Sequence, residues 1–147
     1  MNYWLVKSEP SSYSWSQLQQ DKVSAWDGVR NYQARNNLRL MKLGDIAFFY
    51  HSNQEKAIKG LIKVVKEYYP DPTDESGRFD MVDFEYVTSL EKSISLAEIK
   101  QNENLQNIAL VKQSRLSVMP ITQYEYNIII ELSKASYSLS QIGSDNE

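Results

Sequence analysis

The chain has 147 residues, 41% of them hydrophobic, which suits one domain with a core of its own and no need of a metal or a disulfide to hold it. It has no cysteine and a single histidine, His51, which excludes disulfides, thiolate metal sites, thiol nucleophiles and the usual His/Cys zinc centres within one chain. Net charge is -3, but residues 1–66 carry ten Lys plus Arg against five Asp plus Glu, and residues 67–147 carry six against fourteen, so the first half has the means to build a basic face.

Tyr3 to Val6 reads as a short buried strand, ended by Pro10 and the serines Ser11, Ser12 and Ser14, which favour a turn and a helix start with Trp15 and Leu18 inward. Val23 to Trp26 reads as a strand that stops at the turn pair Asp27-Gly28. Asn31 can cap a helix running to about Lys42, with Ala34, Leu38 and Met41 on one side and Tyr32, Arg35, Arg39 and Lys42 on another. Ile46 to Tyr50 is a continuous apolar run, as expected of a strand covered on both faces near the middle of a sheet. Ile58 to Tyr69 and Phe79 to Val87 read as strands that pair antiparallel across a polar loop from Pro70 to Arg78. Leu96 to Lys100 reads as a short helix and Arg115 to Met119 as a strand ended by Pro120. Thr122 with Glu125 is a capping box that opens a last helix through Ile128 to Leu132. Five or six strands mixed with short helices, without a regular βαβα rhythm, predict an α+β domain or a partly closed barrel.

The N-terminus shows no basic segment followed by an apolar one, so no secretion signal is expected, and no apolar run approaches the roughly 20 residues of a spanning helix. The expectation is a soluble cytoplasmic protein, or a nuclear one in a eukaryote, with no membrane partner. Neither a Walker A loop nor a G-x-G-x-x-G turn occurs, and no serine sits in a G-x-S-x-G elbow. No cofactor and no metal are expected.

Three segments place polar residues directly at the end of an apolar strand or at a helix start: Lys7 to Pro10, Trp26 to Asn36, and Tyr50 to Asn53. Small ligands are commonly held at such places, because backbone N–H groups and side-chain tips converge there. Nine of the seventeen aromatic residues lie in the first fifty positions, alongside the excess of basic ones, and base stacking with phosphate attraction uses that pairing. The same residues also serve a purely structural reading, with Trp26 in the core, Asn31 only a cap, Tyr32 on the surface, His51 satisfied internally, and Arg35, Arg39 and Lys42 a solvated helix face.

Four stretches decide between the readings: Tyr3 to Pro10 (YWLVKSEP), Trp26 to Asn36 (WDGVRNYQARN), Phe48 to Asn53 (FFYHSN) and Gln113 to Pro120 (QSRLSVMP). Together, in this order, they resemble an EVE domain of the thymocyte nuclear protein type, in the PUA-like class. The resemblance covers about residues 3–132, so an EVE domain is expected over 1–133, and the serine-rich composition with little apolar content after Ser133 predicts a flexible polar tail, 134–147. It implies a PUA-like mixed β-barrel or pseudo-barrel with peripheral short helices. It also implies an aromatic pocket for a modified base, modified cytosine among the proposed ligands, carried by DNA or RNA or presented as a modified nucleoside. The pocket residues it implies are Ser8, Trp26, Asn31, Tyr32, Arg35, Tyr50, His51, Ser52, Ser114, Arg115 and Ser117. Trp26 and Tyr50 would be stacking walls, with Lys7, Arg30, Arg39 and Lys42 contacting phosphates. An alternative is a hydrolase acting on a modified nucleoside, as in ASCH-type relatives, with His51, Glu9 or Asp27 as general base. The Pro70 to Arg78 loop is shorter than in eukaryotic members, which puts in doubt whether substrate range transfers.

Overall fold

The computed structural model describes the backbone of residues 1–145 and the side chains of residues 1–134. The elements run β1 (Tyr3–Ser8), α1 (Trp15–Asp21), β2 (Val23–Ala25), α2 (Tyr32–Leu40), β3 (Ile46–His51), β4 (Ala57–Pro70), β5 (Asp80–Ser95), α3 (Leu96–Gln101), a 3-10 turn (Glu103–Leu105), α4 (Ala109–Lys112), β6 (Val118–Ile121) and α5 (Gln123–Asp145). Local chemistry sets the helix starts. Ser14 caps α1, Asn31 caps α2 and Ser95 with Glu98 forms a full capping box on α3. At α5 the expected box is present, with Thr122 N–H donating to Glu125 Oε1 at 3.0 Å and Glu125 N–H to Thr122 Oγ1 at 3.1 Å.

The six strands form one sheet in the order β2-β5-β4-β3-β1-β6. β1 lies parallel to β3, Tyr3 opposite Ile46 through Ser8 opposite His51, and every other neighbouring pair is antiparallel. β3 is buried from Ala47 to His51, as its unbroken apolar run requires of an interior strand. No ladder joins β2 to β6, yet Ser24 and Ala25 of β2 line the same cleft as Lys7 and Ser8 of β1 and Ser117 just before β6. The sheet therefore curls until its two edges face each other across an open seam, a pseudo-barrel rather than a closed one. α2 packs on β6, β5 and β4 and so straddles that seam.

Two close approaches fix the core. The Trp15 indole lies directly over Gly60, where a Cβ would fall 2.1 Å from Trp15 Cζ2, and its N–H donates to Ser89 Oγ at 2.9 Å. Asp45, buried, accepts from Trp4 Nε1 at 3.0 Å and from the backbone of Asn2 and Lys42, tying β1 to the turn before β3.

Several boundaries differ from the sequence reading. β5 continues eight residues past Val87, to Ser95, because it pairs with the first half of β4, Gly60 opposite Ser89 and Ala57 opposite Ser95. Register shifts after Ile58 and Leu61 break the alternation that would have revealed it. β6 begins at Val118 rather than Arg115, and it holds Pro120 because an edge strand tolerates a missing N–H donor. α5 extends to Asp145, beyond the expected end at Leu132. The expected flexible tail, 134–147, falls where side chains beyond Lys134, and residues 146 and 147 entirely, lie outside the described residues. No described helix is long and apolar enough to cross a membrane.

Candidate functional site

The seam holds a cleft of about 530 Å³, within the range of small-ligand sites. Its walls come from the end of β1 (Lys7, Ser8, Glu9), the turn before α1 (Ser12, Tyr13), the run from Ser24 through Trp26 and Gly28 to Asn31, and Ser117. Trp26 reaches into it from the core. Its ring meets Phe49, Phe84 and Tyr13 edge-on, at centroid distances of 5.7, 5.4 and 6.2 Å. Trp4 and Trp15 donate their indole N–H groups to Asp45 and Ser89. The Trp26 N–H has no such partner, while no buried side-chain polar atom among the described residues lacks one. That N–H is therefore reached by solvent, and Trp26 is a wall of the cleft.

The remaining polar groups are partly committed. Ser8 Oγ donates to the Tyr13 carbonyl at 2.5 Å, so toward a ligand it can act only as an acceptor. Asn31 Oδ1 accepts from Ala34 N–H at 2.9 Å as the α2 cap, leaving the amide nitrogen free to donate. Lys7 Nζ donates to the Ser114 carbonyl at 2.8 Å and lies 5.9 Å from the centre of the Tyr50 ring, and burial pulls its pKa below the ordinary lysine value. Glu9 and Asp27 put exposed carboxylates on the rim.

The rim is fastened by the loop between β4 and β5. Asp71, buried, accepts from Gly28 N–H at 2.8 Å, Arg30 Nη1 at 3.1 Å, and the Thr73 N–H and hydroxyl at 2.8 and 2.6 Å. Burial alone would raise its pKa, but the hydrogen bonds from Thr73, Gly28 and Arg30 outweigh it and hold the carboxyl below its ordinary value. Asp74, led by its bond from the Ser76 hydroxyl, is pulled down to about 2 and organises the far side of the loop through Ser76, Arg78 and Phe79 N–H groups. Both folded-state pKa values lie below the unfolded ones, so the stabilisation is present above about pH 4 and is lost as pH falls toward about 2. Acidification through that window is expected to speed amide exchange at Gly28, Thr73 and Phe79 before the sheet melts. Simultaneous loss of strand amides would contradict this.

Of the residues expected in the pocket, Ser8, Trp26, Asn31 and Ser117 line this cleft, as do Lys7 and Arg30 of the expected phosphate contacts. The others lie elsewhere. Tyr50 is 3% exposed and is not a wall of the cleft, and the second aromatic there is Tyr13. His51 Nε2 accepts from Trp15 N–H at 3.0 Å, which puts the ring proton on Nδ1, facing Glu55 at 2.9 Å. Both nitrogens are occupied away from the cleft, so the candidate bases that remain on its rim are Glu9 and Asp27. Ser52, whose N–H donates to the Ser8 carbonyl, is also outside. Tyr32 stacks on Phe79 at 5.0 Å, and Arg35 lies 4.8 Å over Tyr32 while donating to the Arg78 carbonyl. Arg39 pairs with Asp80, and Lys42 sits past the far end of α2. Ser114 and Arg115 line a second, shallower cleft with Asn31. Sequence reasoning missed Tyr13, Ser12 and Ser24. The available signal was an aromatic residue set among serines after Pro10, where a core residue is out of place.

The EVE domain family profile matches residues 2–132, nearly all of the described chain. The chain belongs to the EVE domain family. It is 40% identical to human thymocyte nuclear protein 1 over 167 aligned positions, covering 90% of this chain and 74% of that protein. Among solved structures, this EVE domain is similar to the human THYN1 protein in complex with 5-methylcytosine containing DNA, at 39% identity and a TM-score of 0.87, covering 91% of this chain and 98% of that one. An ASCH protein from Zymomonas mobilis shares the fold at a TM-score of 0.58 with 12% identity, covering 89% of this chain and 96% of that one. Within the EVE domain, three of the four stretches that carry the family resemblance, those beginning at Tyr3, Trp26 and Gln113, contribute walls to the seam cleft, beside Ser12, Tyr13, Ser24 and Ala25 from outside them. The third in chain order, Phe48 to Asn53, lies behind them as the strand that supports Trp26 through Phe49. Among the described residues no cluster of three or more His, Asp or Glu could hold a metal.

Proposed function

We propose that this EVE domain binds a modified cytosine, carried in DNA, in the seam cleft. The observation that carries the reading is an aromatic-walled cleft with an unpartnered indole N–H on a chain 39% identical to a protein solved with 5-methylcytosine containing DNA. Trp26 and Tyr13 supply apolar contact for the ring and its added group. Trp26 Nε1 and the Asn31 amide donate to the acceptor edge of the base, and Glu9 or Asp27 accepts from the exocyclic amine. Base–aromatic stacking returns on the order of 1–3 kcal/mol, while unstacking a base from a duplex costs a few kcal/mol, so hydrogen bonds at the base edge have to supply the surplus. Single strands bind more readily than intact duplex, and affinity falls with salt. RNA carrying the same base, or the free modified nucleoside, presents the same edge and is a further ligand of this reading. It requires only access to nucleic acid, in the cytoplasm or, in a eukaryote, the nucleus. A hydrolytic role would fall to Glu9 or Asp27, since His51 is engaged elsewhere.

Titration of intrinsic fluorescence with single-stranded oligonucleotides holding one 5-methylcytosine or one cytosine tests the reading. The expected result is a saturable change in both, tighter for the modified strand by about fourfold to tenfold, the worth of one methyl-sized apolar contact with its packing. Equal affinity for both strands would leave a binder that does not read the modification and would overturn the proposal.

A further inference from the structure

A second cleft, of about 360 Å³, adjoins the first. It is lined by Asn31, Gln33, Gln113, Ser114, Arg115 and Leu116, and Asn31 lines both. The two are also joined through Lys7, which lines the first and whose ammonium donates to the Ser114 carbonyl of the second. The second cleft is a held structure. Gln33 Nε2 donates to Gln113 Oε1 at 2.8 Å across it, Leu116 N–H closes a turn on the Gln113 carbonyl at 3.0 Å, and Lys7 N–H fixes the Ser117 carbonyl at 2.9 Å.

Its chemistry differs from that of the first cleft. No apolar ring and no carboxylate line it, only amides, a hydroxyl and one guanidinium beside Leu116. Arg30, Arg35 and Arg39 hold partners: Arg30 with Asp71 and Thr73, Arg35 with the Arg78 carbonyl and Asn36, and Arg39 with Asp80. Arg115 makes no ion pair and no side-chain hydrogen bond among the described residues and is exposed. A shallow site with donors, one unpaired cation and no anion suits a phosphate group and gives a base nothing to stack on.

We propose that this second cleft holds the phosphodiester group next to the recognised base, with Arg115 as its cation and Asn31 as the partition between base and phosphate. The proposal rests on the reading of the seam cleft as the base site, and it assigns Ser114 and Arg115 to the backbone of the strand rather than to the base. The ligand is therefore a strand or a nucleotide, with the free nucleoside bound more weakly. DNA and RNA share this phosphate chemistry.

The test compares 5-methyl-2′-deoxycytidine with a trinucleotide that has 5-methylcytosine in the middle, each titrated against the wild-type protein and Arg115→Gln at several salt concentrations. The wild type is expected to bind the trinucleotide about tenfold more tightly than the nucleoside. Arg115→Gln should lose most of that gain, keep the nucleoside affinity, and lower the slope of log affinity against log salt by about 0.7, the signature of one phosphate contact on a single strand. Nucleoside binding with no gain for the trinucleotide, or a gain and slope unchanged by Arg115→Gln, overturns the proposal and leaves the base site standing. Equal weakening of both ligands places Arg115 at the base and also overturns it. If neither ligand binds the folded wild type, the reading of the seam cleft fails and this assignment falls with it. A parallel series with the ribotrinucleotide, under the same criteria, separates DNA from RNA as the source of the phosphate.

Discussion

Trp26→Ala is expected to abolish base binding and to destabilise the domain by about 3–5 kcal/mol, the usual range for deleting a buried tryptophan. Both effects come from one side chain. Trp26 is 8% exposed and holds Phe49 and Phe84 in place on one side, while on the other it forms a wall of the cleft. The two roles separate in Trp26→Phe, which keeps an apolar ring in the core but has no N–H. That variant should retain most of the stability and lose binding by about fivefold, the worth of one hydrogen bond of about 1 kcal/mol. Denaturant melts of both variants beside the fluorescence titration read the two effects. Unchanged affinity in Trp26→Phe would show that the indole N–H does not touch the ligand.

Gly60→Ala adds a single methyl group and is expected to cost about 3 kcal/mol, at the upper end for an overpacked core. The new Cβ would meet Trp15 Cζ2 at 2.1 Å and the Thr88 carbonyl at 2.7 Å, neither of which is the loose end of a flexible side chain. Trp15 is itself held by His51 Nε2 on its backbone N–H and by Ser89 on its indole, so the ring has nowhere to swing. For a domain of this size the loss corresponds to roughly 6–12 °C in Tm. Trp15→Leu opens the same space, so the double variant should cost clearly less than the two single changes added together. Strict additivity would mean that the indole and Gly60 are not in contact.

The fold was largely legible because its cues are local. The Asn31 cap, the Thr122 and Glu125 box and the apolar run of β3 each state their structure within a few residues. The second half of β5 was not, because its register shifts against β4 scramble the alternation on which strand reading depends. The basic face suggested by charge asymmetry proved harder to read. Arg30, Arg39 and Lys63 from the first half pair with Asp71, Asp80 and Glu85 from the second, so part of the excess is neutralised inside the fold. Sequence position cannot reveal such pairing across 41 residues, the separation of Arg39 from Asp80. Within the candidate site, the rule that strand ends and helix starts gather ligand groups points to Trp26, Ser8 and Asn31, and all three line the seam cleft. Tyr50 is buried and does not line the cleft, since an aromatic at the end of a buried strand belongs to the core as readily as to a pocket and only the curl of the sheet decides which.

Of the three indole N–H groups, only that of Trp26 is free among the described residues, and it is the one proposed to meet the base. A two-dimensional ¹⁵N–¹H spectrum resolves the Trp4, Trp15 and Trp26 side-chain N–H signals, each assigned by its Phe variant, as a single strand holding 5-methylcytosine is added. The Trp26 signal should shift with saturation while those of Trp4 and Trp15, bonded to Asp45 and Ser89, stay in place. A Trp26 signal unmoved at ligand saturation would place the base away from the indole and rule out the seam cleft as its site.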